Sequence, residues 1–152
     1  MSFLSRFEPL LGSENLKKIE DARIAVFGLG GVGSYTAEAL ARSGVAQNGA
    51  GQLILIDGDK IEESNINRQL YALYSTIGKA KTEIAMERIA DINPACKIKT
   101  VNSFILPDSF YKILGEDFFK RVDFIVDAVD TIALKIFLAA EAEKNEVPII
   151  SA

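Results

Sequence analysis

The residues of this chain best able to do chemistry fall in four groups along it. The first is Gly28-Leu29-Gly30-Gly31-Val32-Gly33. Glycines at this spacing let a backbone turn tightly and approach phosphate oxygens, above all where the turn opens a helix with free N–H groups. The second is Asp57, an acid ending an apolar run, placed where ribose hydroxyls can donate to it. The third joins Asn65-Ile66-Asn67-Arg68-Gln69 to Gly78-Lys79-Ala80-Lys81. A guanidinium that forks onto phosphate oxygens, an ammonium that acts as a point charge and two amides suit a triphosphate. Hydride transfer from a nicotinamide needs none of them. The fourth is Asp127-Ala128-Val129-Asp130-Thr131, whose two carboxylates are the hard oxygen ligands Mg2+ takes while it bridges phosphates.

Each group also has a plainer reading. The glycine run serves a tight strand–helix crossing, Asp57 a strand-end turn, and Arg68 and Lys81 a charged surface. Asp130 reads equally as a helix cap and Asp127 as a structural acid. Asp59 and Glu62 read as solvated loop charges, and Cys96 as a small packing residue.

The elements that must position these residues follow from the hydrophobic pattern. Short apolar runs alternate with helical ones, which predicts βαβ units and a mainly parallel sheet. Strands are predicted over 23–27, 53–56, 98–101, 124–126 and 148–151. Helices are predicted over 13–20 with Ser13 as cap, 32–43, 79–92, 108–114 and 131–144. In the third of these Ile84, Ala85, Ile89 and Ile92 share a face, and Pro94 stops it. Residues 57–78 read as irregular. The glycine turn, Asp57 and Asp127–Thr131 therefore all follow strands, the edge at which open α/β sheets bind ligands. The expected fold is α/β and Rossmann-like, with helices on both faces of the sheet.

Composition narrows the chemistry further. The chain has 152 residues, 49% apolar and 25% charged, which fits one globular domain with a real core. Its net charge of −4 lacks the basic balance of a free-standing nucleic-acid-binding domain. There is no histidine, so Ser-His-Asp and Cys-His catalysis and histidine metal ligands are excluded. One cysteine excludes an internal disulfide and any multi-cysteine zinc site, and a reducing cytoplasm is the expected location. No apolar run is long enough to span a bilayer, and Met1-Ser2-Phe3-Leu4-Ser5-Arg6 lacks the pattern of a signal peptide.

Taken together and in order, GLGGVG, LIDGD, NINRQ, GKAK and DAVDT resemble the ThiF/HesA-type adenylating enzymes, the superfamily that includes ubiquitin-activating enzymes. The resemblance runs from about Arg6 to Ala152. Arg6-Phe7, Leu11-Gly12, GGVGSYTAEALARSG and DINP look most like the bacterial tRNA threonylcarbamoyladenosine dehydratases. The resemblance implies that Gly28, Gly30, Gly31 and Gly33 approach ATP and that Asp57 holds its ribose. It implies that Asn65, Arg68, Gln69 and Lys81 hold the phosphates, with Arg68 and Lys81 acting in catalysis. It implies that Asp130 organises Mg2+ and the α-phosphate. The implied reaction adenylates the carboxylate of the threonylcarbamoyl group on a tRNA adenosine, which then cyclises with net loss of water. The alternative is activation of the C-terminal glycine of a ubiquitin-like sulfur carrier. A homodimer with no membrane contact is implied in either case.

Three departures stand out. Relatives carry a second arginine soon after the Arg-Phe pair, where this chain has Glu8-Pro9-Leu10. Ala46-Gln47-Asn48-Gly49-Ala50 reads as an insertion into a tolerant loop. The family continues past the position of Ala152, so residues 1–152 are expected to be the N-terminal part of a longer, truncated domain.

Overall fold

The apolar runs lie side by side, all pointing the same way. In a computed structural model that describes residues 3–152, β1 (Arg23–Phe27), β2 (Gln52–Ile56), β3 (Ile98–Val101), β4 (Phe124–Asp127) and β5 (Ile149–Ser151) form one parallel sheet, ordered β3-β2-β1-β4-β5. Met1 and Ser2, the start of the segment read against a signal peptide, lie outside the described residues. Each strand begins and ends within one residue of its predicted bounds. The register sets Phe27 beside Ile56 and Asp127, and Ile56 beside Val101, so the four strands end level with one another. The chain order reverses between β1 and β4, and at such a switch the loops of neighbouring strands leave in opposite directions and open a crevice.

Alternation along the strands sorts side chains between two cores. Ile24, Val26, Leu53 and Leu55 pack with Ala37 and Ala41 of α3 (Gly33–Arg42) and with Ile84, Ala85 and Ile89 of α4 (Lys81–Ile92). On the other face Ala25, Phe27, Ile54, Ile56 and Ile125 meet Phe110 and Leu114 of α5 (Phe110–Leu114), and Leu134, Leu138 and Ala142 of α6 (Ile132–Lys144). Phe110 stacks on Phe27 at 6.0 Å and on Phe119 at 5.4 Å between ring centroids. Burying each such ring contributes about 1.5–3 kcal/mol.

An ionic strut ties α3 to α4. The buried Glu38 accepts from Arg42 at 2.6 Å and from Arg88 at 3.0 Å. Burial alone would raise the Glu38 carboxyl, but the hydrogen bonds from Arg88 and Arg42 outweigh it and hold the group below its ordinary value.

Local chemistry explains where the elements differ from expectation. A short α1 (Glu8–Leu11) precedes α2 (Ser13–Glu20). Ser13 is not the cap: Gly12 takes that place at φ +78°, and the Ser13 hydroxyl donates to the Glu8 carboxylate at 3.0 Å. Helix α4 begins at Lys81, two residues late, because Ala80 is extended and bridges antiparallel to Lys60. The irregular stretch holds 3-10 turns at Glu63–Asn65 and Tyr74–Thr76. Residues 46–50 are tied down: Gln47 and Asn48 donate to Glu20 at 2.5 and 2.8 Å, and Lys97 Nζ donates to the Gly49 carbonyl at 3.0 Å. No helix among the described residues is long and apolar enough to cross a membrane.

Candidate functional site

A crevice of about 690 Å3 opens where the four level strands end. Its floor comes from Gly28, Gly30 and Gly31 after β1, Asp57 to Asp59 after β2, Ser103 to Ile105 after β3, and Ala128 to Thr131 after β4. Asn65, Arg68, Gln69 and Lys81 form its far wall. The glycines, polar residues and acids picked out in the sequence thus converge on one place, with the exception of Gly33 and Asp127, which do not line it.

The glycines divide their tasks. Gly28 sits at φ +85°, and a Cβ on it would lie 2.5 Å from the Ala128 carbonyl oxygen. A Cβ on Gly33 would lie 1.8 Å from the Gly28 carbonyl oxygen, so both glycines serve close backbone crossing. A Cβ on Gly30 would meet only Gln69 Nε2 at 3.8 Å, and one on Gly31 only Arg68 atoms from 3.5 Å outward. These two leave open space toward the crevice. The first turn of α3 lies just beyond, and a helix start carries N–H groups without intrahelical partners and partial positive charge.

Asp57 is engaged within the protein. One of its oxygens accepts the Leu29 N–H at 2.7 Å and the other the Asp59 N–H at 2.7 Å. Burial raises this carboxyl above its ordinary value, and the two backbone bonds partly oppose that. Lys81 is only 6% exposed, and its ammonium lies 2.7 Å from Asp59 Oδ2 and 4.0 Å from Asp57 Oδ2. Asp59 is therefore the ion-pair partner of Lys81 and no free loop charge. Its spacing, two residues after a strand-end acid, was too common a loop feature to reveal this.

Arg68 is exposed, with Nη1 donating to the Ser64 carbonyl at 2.9 Å and to Asn67 Oδ1 at 3.0 Å. These contacts tether one arm of the guanidinium at the mouth. Asn65 is buried, and its Oδ1 accepts the Glu62 N–H at 3.1 Å, so it shapes the turn that presents Arg68 and Gln69. Lys81 and Arg68 are wall residues rather than scattered surface charges.

The two carboxylates after β4 part company. Asp127 is 1% exposed, pairs with Lys135 at 2.9 Å and accepts from the Ser151 hydroxyl. Asp130 is exposed and lines the crevice. It does not cap α6: Thr131 holds that position, and no side chain there bonds a helix N–H. As for Mg2+, no group of three or more acidic, cysteine or histidine side chains among the described residues could hold a metal unaided. One exposed carboxylate, Asp130, met within the chain only by the Thr131 hydroxyl at 3.5 Å and lining a space for phosphates, does fit an ion that keeps several waters and binds chiefly through the nucleotide.

Lys135 is the cation that the motifs did not announce. It lines the crevice as the single charge in the apolar helical run Ile132-Ala133-Leu134-Lys135-Ile136-Phe137-Leu138. That isolation, one turn past the strand-end carboxylates, was the available signal. Phe104 was missed too; it lines the crevice, and its ring rests where a Cβ on Gly58 would stand, 2.7 Å from the nearest ring atom.

Residues 4–152 match the ThiF family. The chain belongs to the ThiF family. It is 43% identical over 148 residues to the tRNA threonylcarbamoyladenosine dehydratase of Bacillus subtilis, covering 97% of this chain and 54% of that protein. It superposes on the crystal structure of the E. coli tRNA N6-threonylcarbamoyladenosine dehydratase in complex with ATP with a TM-score of 0.86 at 36% identity, covering 97% of this chain and 57% of that one. It is 33% identical over 138 residues to the molybdopterin-synthase adenylyltransferase of Salmonella typhimurium, covering 91% of this chain and 51% of that protein. The chain spans about half the length of these ThiF relatives.

Proposed function

We propose that the crevice binds ATP and that this ThiF chain performs the nucleotide half of a carboxylate adenylation. The observation that carries the reading is the meeting of open glycine backbone, Arg68, Lys81 and an exposed Asp130 at the switch point of the sheet. A carboxylate needs no base to attack an α-phosphorus, which suits a site without histidine. The protein must hold the phosphorus in line, neutralise phosphate charge and stabilise departing pyrophosphate. Gly30 and Gly31 let phosphate approach the backbone, Arg68 and Lys81 balance its charge, and Gln69 closes the wall between them. Asp57 fixes the glycine turn through the Leu29 N–H and meets the ribose edge. Mg2+, carried by the nucleotide and met by Asp130, would supply further charge neutralisation.

For the acceptor we propose the threonylcarbamoyl carboxylate on a tRNA adenosine, since the B. subtilis dehydratase is 43% identical. The sulfur-carrier reading has less support, from a relative at 33%. A cytoplasmic protein assembling as a two-fold homodimer completes the proposal. The exposed Ile132 and Ile136 on α6 support self-association.

Calorimetric titration with ATP plus Mg2+ and with NAD tests the nucleotide assignment. Tighter ATP binding is expected, and tighter NAD binding would overturn it. Substrate choice is tested with unmodified and threonylcarbamoylated tRNA in pyrophosphate release by a full-length protein containing this chain. Release that depends instead on a sulfur carrier would replace the tRNA reading.

A further inference from the structure

Lys81 presents a problem that its assignment to phosphate does not solve. An ammonium on a four-carbon stem is flexible, and confining it for a ligand costs conformational entropy. Here it is already confined: Lys81 is 6% exposed although it lines an open crevice. Two features of Asp59 hold it. The Asp59 carbonyl accepts the Lys81 N–H at 3.1 Å, fixing the start of α4, and Asp59 Oδ2 grips Lys81 Nζ at 2.7 Å. The Asp57 carboxylate, at 4.0 Å from Nζ, has given both its oxygens to backbone N–H groups. Asp59 itself is half exposed, since its side chain retains 50% of its accessible surface. Its own backbone is pinned by the bond from its N–H to Asp57.

We propose that Asp59 is a positioning residue, which holds the Lys81 ammonium at the crevice wall before nucleotide arrives so that a triphosphate meets a cation already in place. The proposal rests on the ATP reading for its benefit, but the clamp itself exists without nucleotide. An opposite view makes Asp59 a competitor, an acid that repels phosphate and must be displaced. The two views predict opposite signs.

Asp59→Ala removes the grip and leaves the backbone contact, while Asp59→Asn keeps an acceptor without the charge. Both side chains sit at a half-exposed position, so both variants should fold, which thermal melting checks. In the nucleotide-free protein, brief labelling with an amine-reactive ester and peptide mass spectrometry should find Lys81 modified several-fold faster in Asp59→Ala than in wild type, with the neighbouring Lys79 unchanged. Asp59→Asn should lie between. Equal Lys81 labelling in all three overturns the clamp, whatever the ligand is. For ATP, Asp59→Ala should raise Kd roughly three- to tenfold, the scale of immobilising one rotamer-rich side chain. Adenosine binding should be unchanged, and the loss should vanish when Asp59→Ala is combined with Lys81→Ala. Tighter ATP binding by Asp59→Ala, or the same loss in the Lys81→Ala background, would refute the proposal. If wild-type protein binds no ATP while Lys81 labelling still rises in Asp59→Ala, the nucleotide assignment fails and the clamp stands.

Discussion

Two glycines three residues apart should respond in opposite ways to the same added methyl group. At Gly33 the new Cβ would stand 1.8 Å from the Gly28 carbonyl oxygen and 2.8 Å from its carbon. A carbon and a carbonyl oxygen do not pack closer than about 3.3 Å. The start of α3 or the end of β1 must therefore shift by more than an ångström. Overpacking of well-packed sites costs typically about 1–3 kcal/mol, and because backbone rather than a side chain must yield, Gly33→Ala belongs at the upper end. At Gly30 the nearest atom would be Gln69 Nε2 at 3.8 Å, an ordinary contact. Gly30→Ala should thus leave stability within about 0.5 kcal/mol of wild type. Its methyl enters the space left for phosphate, and ATP affinity should fall by tenfold or more, about 1.4 kcal/mol. Urea unfolding gives the first quantity and ATP titration the second. A Gly30→Ala variant destabilised as much as Gly33→Ala, or one binding ATP like wild type, would refute this division between crossing and ligand-facing glycines.

Asp130→Ala in a full-length protein should abolish pyrophosphate exchange with a melting temperature close to wild type, because this exposed side chain caps no helix; retained exchange would remove Asp130 from the site. Acid should destabilise the fold through Glu38 and Asp123, both held below their ordinary values of 4.5 and 3.8, Asp123 by the hydrogen bond from Arg23. Their stabilisation is present above those values and lost as pH falls through the lower folded ones, whereas the raised Asp57 works in the opposite sense; melting scans between about pH 6 and pH 3 should therefore flatten in an Arg88→Met variant. The Cys96 thiol, pushed up to about 11 by burial, should react slowly with a disulfide reagent in native protein and rapidly in urea. Truncating the fully buried Ile89 to alanine should cost about 2–5 kcal/mol in urea unfolding.

Most of the fold was legible because β1, β2 and β4 are short, near-continuous apolar runs, the pattern of strands buried on both faces of a parallel sheet. Residues 23–27 were read to the residue for that reason, and residues 98–101 by the β-branched Ile98, Thr100 and Val101. What failed depends on contacts from elsewhere in the chain. Ala80 is held extended by a bridge to Lys60, so α4 starts late, and Ser13 is drawn to Glu8 instead of its own helix. In the site, residue types and order foretold Arg68, Lys81 and Asp130 as neighbours of one crevice. They did not tell Asp57, spent on two backbone N–H groups, from Asp59, which holds Lys81. The buried Asp127 and the exposed Asp130 three residues on were told apart only by the nearness of Asp127 to its strand and by the family resemblance. Partnership in space, not residue type, makes that distinction.

The tethered residues 46–50 have a practical consequence. They precede β2 and so lie at the amino edge of the sheet, a full strand length from the crevice at its carboxyl edge. Glu20 and Lys97 hold this loop from the two flanking segments, so its base is fixed whatever its tip contains. A peptide tag or fluorescent reporter spliced between Gly49 and Ala50 would ride on a braced stem, away from the nucleotide. The same end of the sheet is where new surface can be added to this chain without retuning the site.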